Sequence, residues 1–482
     1  MLKVHTHSIL LILLIMSALT MHAEDSIKVS ATDLQALIQR VERLEQRDSV
    51  SQQNGIEEVK PQKKKYTRGK FTLGGYGEIT AKHCFFSNNY LRYGKNPEKY
   101  ANDHYGEFDL PHVVIYMGYD FGKGWSVGTE IEFEHGGTES AVEIEEDEGG
   151  EYESEIERGG EVALEQFWLQ KAFNRYAVIR VGMQVIPVGG LNAHHESTEY
   201  FGVYRNAGDF TIIPSTWHEV ALTFMGSTPN GWHYQAMFLP GLDSDRFGTK
   251  NWVKTGAGSP YEFKIANVFA GAARVDYTGV KGLRLSLSGY CGNSFRNTLS
   301  KSNNELDASA YKDVKGTVSI GAFDFQYKDH GVILRGSFTY GHLSDAALIS
   351  QYNKTMRRES VSKKQDVASD ALAAGLEAGY DFFSLNRKLV EKKQQFYVFA
   401  RYDYYDSMFK YDGQLTDKAA WCGRHRAAVG INYFPIPQIG VKAEFAYSIL
   451  KPGIRTDGTR GKLYNDEPQI ALGIVYAGFF QL

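Results

Sequence analysis

Three glutamates at every second position, Glu130, Glu132 and Glu134, place carboxylates on one face of any strand that carries them. Arginines recur in segments of the same alternating type: Arg180, Arg274, Arg284, Arg335, Arg401 and Arg426, with Gln184 following Arg180 on its own face. Opposed basic and acidic walls would set up a transverse field that orders water and favours polar solutes. The same charges could equally pair with one another and brace a wall. Sequence leaves both roles open.

The connector 188–216 adds His194, His195, Glu196, Glu199, Arg205 and Asp209. Adjacent histidines point in different directions and lack the i, i+4 spacing of a helical metal site, so the expectation here is a pore constriction and no metal. Residues 139–157 hold ten carboxylates and no basic residue. Self-repulsion predicts an exposed, mobile loop. It offers oxygens to a divalent cation, but without the ordered spacing of an EF-hand. Gly124-Trp125-Ser126-Val127-Gly128 matches the nucleophile-elbow pattern in letters only, because it opens a strand and no helix follows. No catalytic constellation or cofactor motif emerges, and the expectation is a protein that is not an enzyme.

The elements that must position these residues are strands. Sixteen segments between 71 and 482, from 71–80 to 468–480, alternate apolar and polar residues, and their connectors are alternately very short and long. That parity is the mark of a transmembrane β-barrel, whose turns are tight on one side of the membrane and long on the other. In seven strands the charges can be checked against a clear apolar face. Leu283, Leu285 and Leu287 oppose Arg284; Val441, Ala443, Phe445, Tyr447 and Ile449 oppose Lys442 and Glu444. A charge on the lipid face costs about 2–4 kcal/mol at the bilayer midplane, which is the physical cause of this sorting. Segment 107–120 alternates less cleanly. Tyrosines such as Tyr402, Tyr404, Tyr447 and Tyr476 fall on the apolar parity, where interfacial girdles account for them.

Bulk properties agree. Mean hydropathy is −0.36, and no apolar run after the N-terminus approaches the ~20 residues of a spanning helix. A net charge of −4 argues against nucleic acid as a partner. Three cysteines, Cys84, Cys291 and Cys422, are too scattered for a disulfide framework or zinc site. Residues 1–23 read as a secretory signal peptide, with Lys3 before an apolar core at Ile9–Met16. Residues 24–70 read as a periplasmic helix and polar linker. Leu34, Leu37, Val41 and Leu44 have heptad spacing, which suits either a short coiled coil or an amphipathic surface helix. Residues 71–482 are the barrel.

Three segments resemble the phosphate-selective porin O and P family, particularly its Bacteroides-like members. They are Phe71-Thr72-Leu73-Gly74-Gly75-Tyr76-Gly77-Glu78, the run from Arg180 through Gly190, and Ile212 through Val220. The likeness is clearest over 71–226. It implies a sixteen-stranded barrel in the outer membrane of a Gram-negative bacterium, usually trimeric, that passes small solutes passively. The arginine ladder of well-known members has no residue-by-residue match here.

The resulting expectation is a porin with a water-filled channel for small polar or anionic solutes, phosphate-like ones included. Its partners would be outer-membrane lipid, lipopolysaccharide and two copies of itself, with a divalent cation at the acidic loop. The alternative is a surface-exposed barrel that mainly binds or supports.

Overall fold

The computed structural model describes residues 70–93, 97–136, 139–144, 154–159, 162–214, 216–258, 263–299, 310–355, 366–411, 417–454, 460–461 and 466–481. The predicted signal peptide, the heptad segment and the linker lie outside these residues.

One antiparallel sheet closes on itself. Its strands are β1 (Lys70–Cys84), β2 (Tyr105–Asp109 continued by His112–Gly122), β3 (Trp125–Glu134), β4 (Val162–Asn174), β5 (Ala177–Val185), β6 (His218–Ser227), β7 (Trp232–Pro240) and β8 (Phe269–Tyr277). There follow β9 (Leu283–Gly292), β10 (Val318–Asp329), β11 (Val332–Leu343), β12 (Asp370–Asp381), β13 (Gln395–Lys410), β14 (Arg424–Ile436), β15 (Ile439–Leu450) and β16 (Glu467–Gln481). Each strand pairs with its sequence neighbours, and β16 returns to β1 from Thr72↔Gln481 to Cys84↔Gln469. Closure leaves no strand edge unpaired, which is what a bilayer demands of a sheet.

The sixteen predicted strands all form, and the charge sorting holds. Leu287 is 66% exposed on the outside while Arg284 turns inward and is partly covered. Ile115, Leu169, Val181, Leu222, Val429, Leu472 and Ile474 belong to the apolar outer belt. Tyr119, Phe121, Trp125, Phe173, Tyr176 and Trp232 gather at its tight-turn end, as an interfacial girdle does. A closed barrel with an oily belt and charges turned inward is an outer-membrane protein of a Gram-negative bacterium.

The imperfect alternation of the second strand has a local cause. From Asp109 to Val113 the strand advances four residues, while its partner on β1 advances three, from Thr80 to Gly77. The extra residue is a bulge at Leu110-Pro111, where proline removes a ladder donor. A second bulge lies in β4. Glu130 faces Gln166 but Ile131 faces Leu164, so Glu165 is left over. The tight hairpins use the turn chemistry expected of them: His330 and Gly331 between β10 and β11 have φ of 51° and 78°, a turn with both central residues left-handed.

Two expectations change. Part of the acidic segment pairs as two antiparallel strands, Glu139–Ile144 against Ser154–Gly159, with Val142 opposite Ile156. The lumen is also not polar throughout. At the long-loop end of β6 to β13, inward residues such as Met237, Leu239, Ala272, Ile320, Leu343 and Ala373 meet Phe247, Trp252, Phe295, Ile349 and Tyr352 from the loops in one apolar core.

Candidate functional site: an inward loop and a charged wall

The connector between β5 and β6 folds into the barrel. Its neck is closed by Ile186 N–H donating to Trp217 O at 2.8 Å, and by Asn192, whose side chain donates to Ile186 O at 2.5 Å and accepts from Trp217 N–H at 2.6 Å. Beyond the neck the loop reaches walls on several sides.

On one side it is gripped by β14, β15 and β1. Lys442 Nζ, 0% exposed, donates to the carbonyls of Ser197, Tyr200 and Gly202 at 2.6, 2.7 and 2.9 Å. Glu444 accepts from Val203 N–H at 3.1 Å, Asn432 donates to Phe201 O at 3.0 Å, and Tyr200 donates to Glu78 at 2.7 Å. Gly202 is required by this close approach, since a Cβ there would stand 2.7 Å from Glu444 Oε2 and 2.6 Å from Tyr204 O. Phe201 stacks on Phe399 and lies beneath the Arg335 guanidinium.

On the opposite side the loop faces β8 to β12. Gly189 N–H donates to Ser288 Oγ at 3.1 Å, Arg284 donates to His194 Nε2 at 2.6 Å, and Ser337 donates to Asp209 at 2.6 Å. Burial, with the neighbouring Arg284 cation, holds His194 down at about 3, so it is neutral and able to accept. Burial, with Asp403 beyond it, pushes the Asp209 carboxyl up to about 6.

Between this face of the loop and the wall lies a narrow cavity of about 50 Å³, lined among others by His194, Glu199, Asp209, Arg284, Arg335 and Glu377. It adjoins a wider one of about 620 Å³ that opens towards the tight turns and shares Glu199, Tyr200, Gln326 and Arg335 with it. The lumen therefore tapers at the loop, and the taper is lined by charge.

Five of the six predicted arginines come together on this wall, each beside a partner. Arg274 meets Asp276 and Asp324 at 2.9 and 3.0 Å, and Arg284 approaches Asp324 at 3.9 Å. Arg335 pairs with Glu377 at 2.6 Å, Arg401 with Asp403 at 2.7 Å, and Arg426 with Glu444 at 2.6 Å. Register builds this girdle: Arg335 lies opposite Glu377, Glu377 opposite Arg401, and Asp403 opposite Arg426. Of the two roles left open by sequence, pairing is the one these contacts realise.

Arg180 stands apart, donating to Gln170 at 2.7 and 3.0 Å over the Trp168 ring. Gln184 is buried, accepting from Thr223 and donating to Ala221 O. Glu130 and Glu132 lie across the lumen with His195 and Arg205 of the loop close by. Glu134, at the end of the same column, belongs to a cluster with His112 and Glu132. Burial, with the Glu199 charge nearby, raises the Glu196 carboxyl.

Sequence reasoning missed Glu165, because the bulge moves it off the alternating parity. The signal was present: apolar positions run Val162, Leu164 and then Phe167, Leu169, and that change of phase marks an inserted residue. Asp324 of β10, which Arg274 and Arg284 both approach, was also missed. Ser126 of the elbow-like pattern lies in β3 with no helix after it, so it lacks the sharp turn a nucleophile needs.

No protein-family model matches the chain. A protein of Aquifex aeolicus (strain VF5), described as uncharacterized, is 32% identical over 174 residues, which are 36% of this chain and 33% of that one. The chain thus spans about a third of that relative's length. Among solved structures, the outer membrane channel DcaP of Acinetobacter baumannii aligns at TM-score 0.48 and 12% identity, covering 88% of this chain and 100% of that one. An anion-selective porin from Comamonas acidovorans aligns at TM-score 0.47 and 11% identity, over 85% of this chain and 100% of the other. OprB of Pseudomonas putida aligns at TM-score 0.45 and 11% identity, over 86% and 94%.

Proposed function

We propose that the protein is a porin: an exported, trimeric outer-membrane channel in which small polar or anionic solutes, phosphate-like ones included, diffuse passively. The observation that carries this reading is the inward loop. It crosses the lumen and leaves only a small cavity of about 50 Å³ between itself and the wall that carries Arg284, Arg335 and Glu377. A constriction lined by fixed charges selects by size and sign without a chemical step or an energy source.

Because the arginines are paired, selectivity is a balance of neighbours and not the work of an unpaired basic ladder. Arg335 and Glu377 form its pivot. Lipid and lipopolysaccharide would contact the outer belt, and the heptad segment at 34–44 would join subunits.

The test is reversal potential in planar bilayers under a salt gradient. Arg335→Ala should shift preference towards cations and Glu377→Gln towards anions, while Arg180→Ala, away from the taper, changes little. Equal preference in all three would defeat the assignment. A second reading, a closed barrel that binds or supports, is favoured by the apolar loop core at the mouth. Single channels decide between them, since a closed barrel gives no steady conductance steps.

A further inference from the structure

The wall opposite the arginine girdle gathers carboxylates that the porin mechanism does not use. Glu130 and Glu165 from β3 and β4, and His195 from the inward loop, are all buried, and each offers a ligand atom within 4.8 Å of the other two. Glu165 is 0% exposed, and no amide, hydroxyl, imidazole or guanidinium donor reaches either of its oxygens; the one group within hydrogen-bonding reach is another carboxyl, that of Glu132. It is the residue left over by the β4 bulge, which turns it inward beside Gln166. Glu132 is adjacent, so three carboxylates share this pocket with one guanidinium, that of Arg205, and the His112 imidazole that bonds Glu132 at 2.7 Å. A buried negative excess of this kind is relieved either by a proton shared among the carboxyls or by a bound cation.

His195 is prepared to supply a neutral nitrogen. Its Nδ1 lies 3.0 Å from the carbonyl of Asn192, which can only accept, so Nδ1 carries the proton and Nε2 keeps its lone pair. That bond is the usual outer support of a metal-bound imidazole. Gln166 occupies one Glu130 oxygen, Oε2, and leaves the other. One imidazole with two carboxylates is a donor set suited to zinc with an open position. With no edge longer than 4.8 Å, the three donors can lie no more than about 2.8 Å from a common centre. Inward shifts of no more than about 0.7 Å then reach zinc bonds of ~2.0–2.2 Å.

We propose that Glu130, Glu165 and His195 bind one divalent transition-metal cation, zinc in type, which fastens the inward loop to the β3–β4 wall. The loop is held on its other faces by Lys442 and Arg284, so the ion completes its attachment and sets the aperture. The site does not depend on which solute passes, and it is tested without reference to conductance.

The experiment uses the full chain in detergent, stripped by chelator and titrated with Zn²⁺. One ion per chain should survive gel filtration in the presence of excess Mg²⁺ and Ca²⁺. Zinc X-ray absorption should give one imidazole nitrogen with oxygen donors. Glu165→Gln and His195→Asn should each weaken binding by about 100-fold or more while migrating as folded barrels on unheated gels. The proposal is overturned if stripped wild type retains no zinc, if two or more imidazoles are bound, or if Glu165→Gln binds as tightly as wild type. It is equally overturned if wild type takes no metal and Glu165→Gln melts higher, since a proton shared among the carboxylates would then hold the site together.

Discussion

Lys442→Met removes the buried ammonium that holds three carbonyls of the inward loop, at 2.6, 2.7 and 2.9 Å. Each charge-assisted bond is worth about 1.5–3 kcal/mol net, but the substitution also relieves the cost of burying the charge. Breaking one partner of a buried charged network costs about 3–5 kcal/mol, and the lower figure is the safer one because Asn432 and Glu444 still grip the neighbouring residues. A loss of about 3 kcal/mol lowers the docked-to-undocked ratio about 100-fold. Barrel closure is untouched, since Lys442 contributes only backbone pairing to the sheet. Single-channel recording should show larger and noisier steps than wild type, and limited proteolysis should cut within residues 194–206. Lys442→Arg keeps the charge and should fall between the two. Wild-type conductance together with wild-type protease resistance in Lys442→Met would refute the idea that these bonds hold the loop in the lumen.

Other outcomes follow from the same geometry. The Asp209 carboxyl is raised to about 6 in the docked loop, so its contribution to docking is full below its unfolded value of about 3.9 and is lost as pH climbs through about 6; protease protection of the loop should decline over that range in wild type and stay flat in Asp209→Asn. Trp252, fully buried in the loop core with Nε1 donating to Ala368 O at 2.9 Å, should cost about 3–5 kcal/mol when truncated to Ala, read as protease sensitivity of loops 241–268 and 344–369. Gly341→Val would drive a Cβ to 2.1 Å from the Trp252 ring and should loosen the same loops while the barrel still migrates as folded. Gly124→Ala, at φ 78° with a Cβ 2.1 Å from Ala172 O, should slow barrel folding measured by heat-modifiable migration.

How far the sequence reached is clear from particular strands. Leu283, Leu285 and Leu287 against Arg284 already state which face meets hydrocarbon, because pleating makes side-chain direction a matter of parity. Parity broke down where residues were inserted, at Leu110-Pro111 and Glu165 and again between Asp406 and Lys410. The slip at Glu165 hid the carboxylate on which the proposed metal site turns.

Alternation, connector parity and the cost of charge in lipid fix a sixteen-stranded barrel and its inside from the sequence alone, because both depend on neighbours a few residues apart. What an inward residue meets is a different matter. Whether Arg335 stands free or pairs with Glu377 depends on strand register, and whether His195 nears Glu165 depends on a loop crossing the lumen. The apolar cap of Phe247, Trp252 and Ile349 likewise exists only when separate loops converge. Those contacts join residues tens of positions apart, and only tertiary closure could decide them.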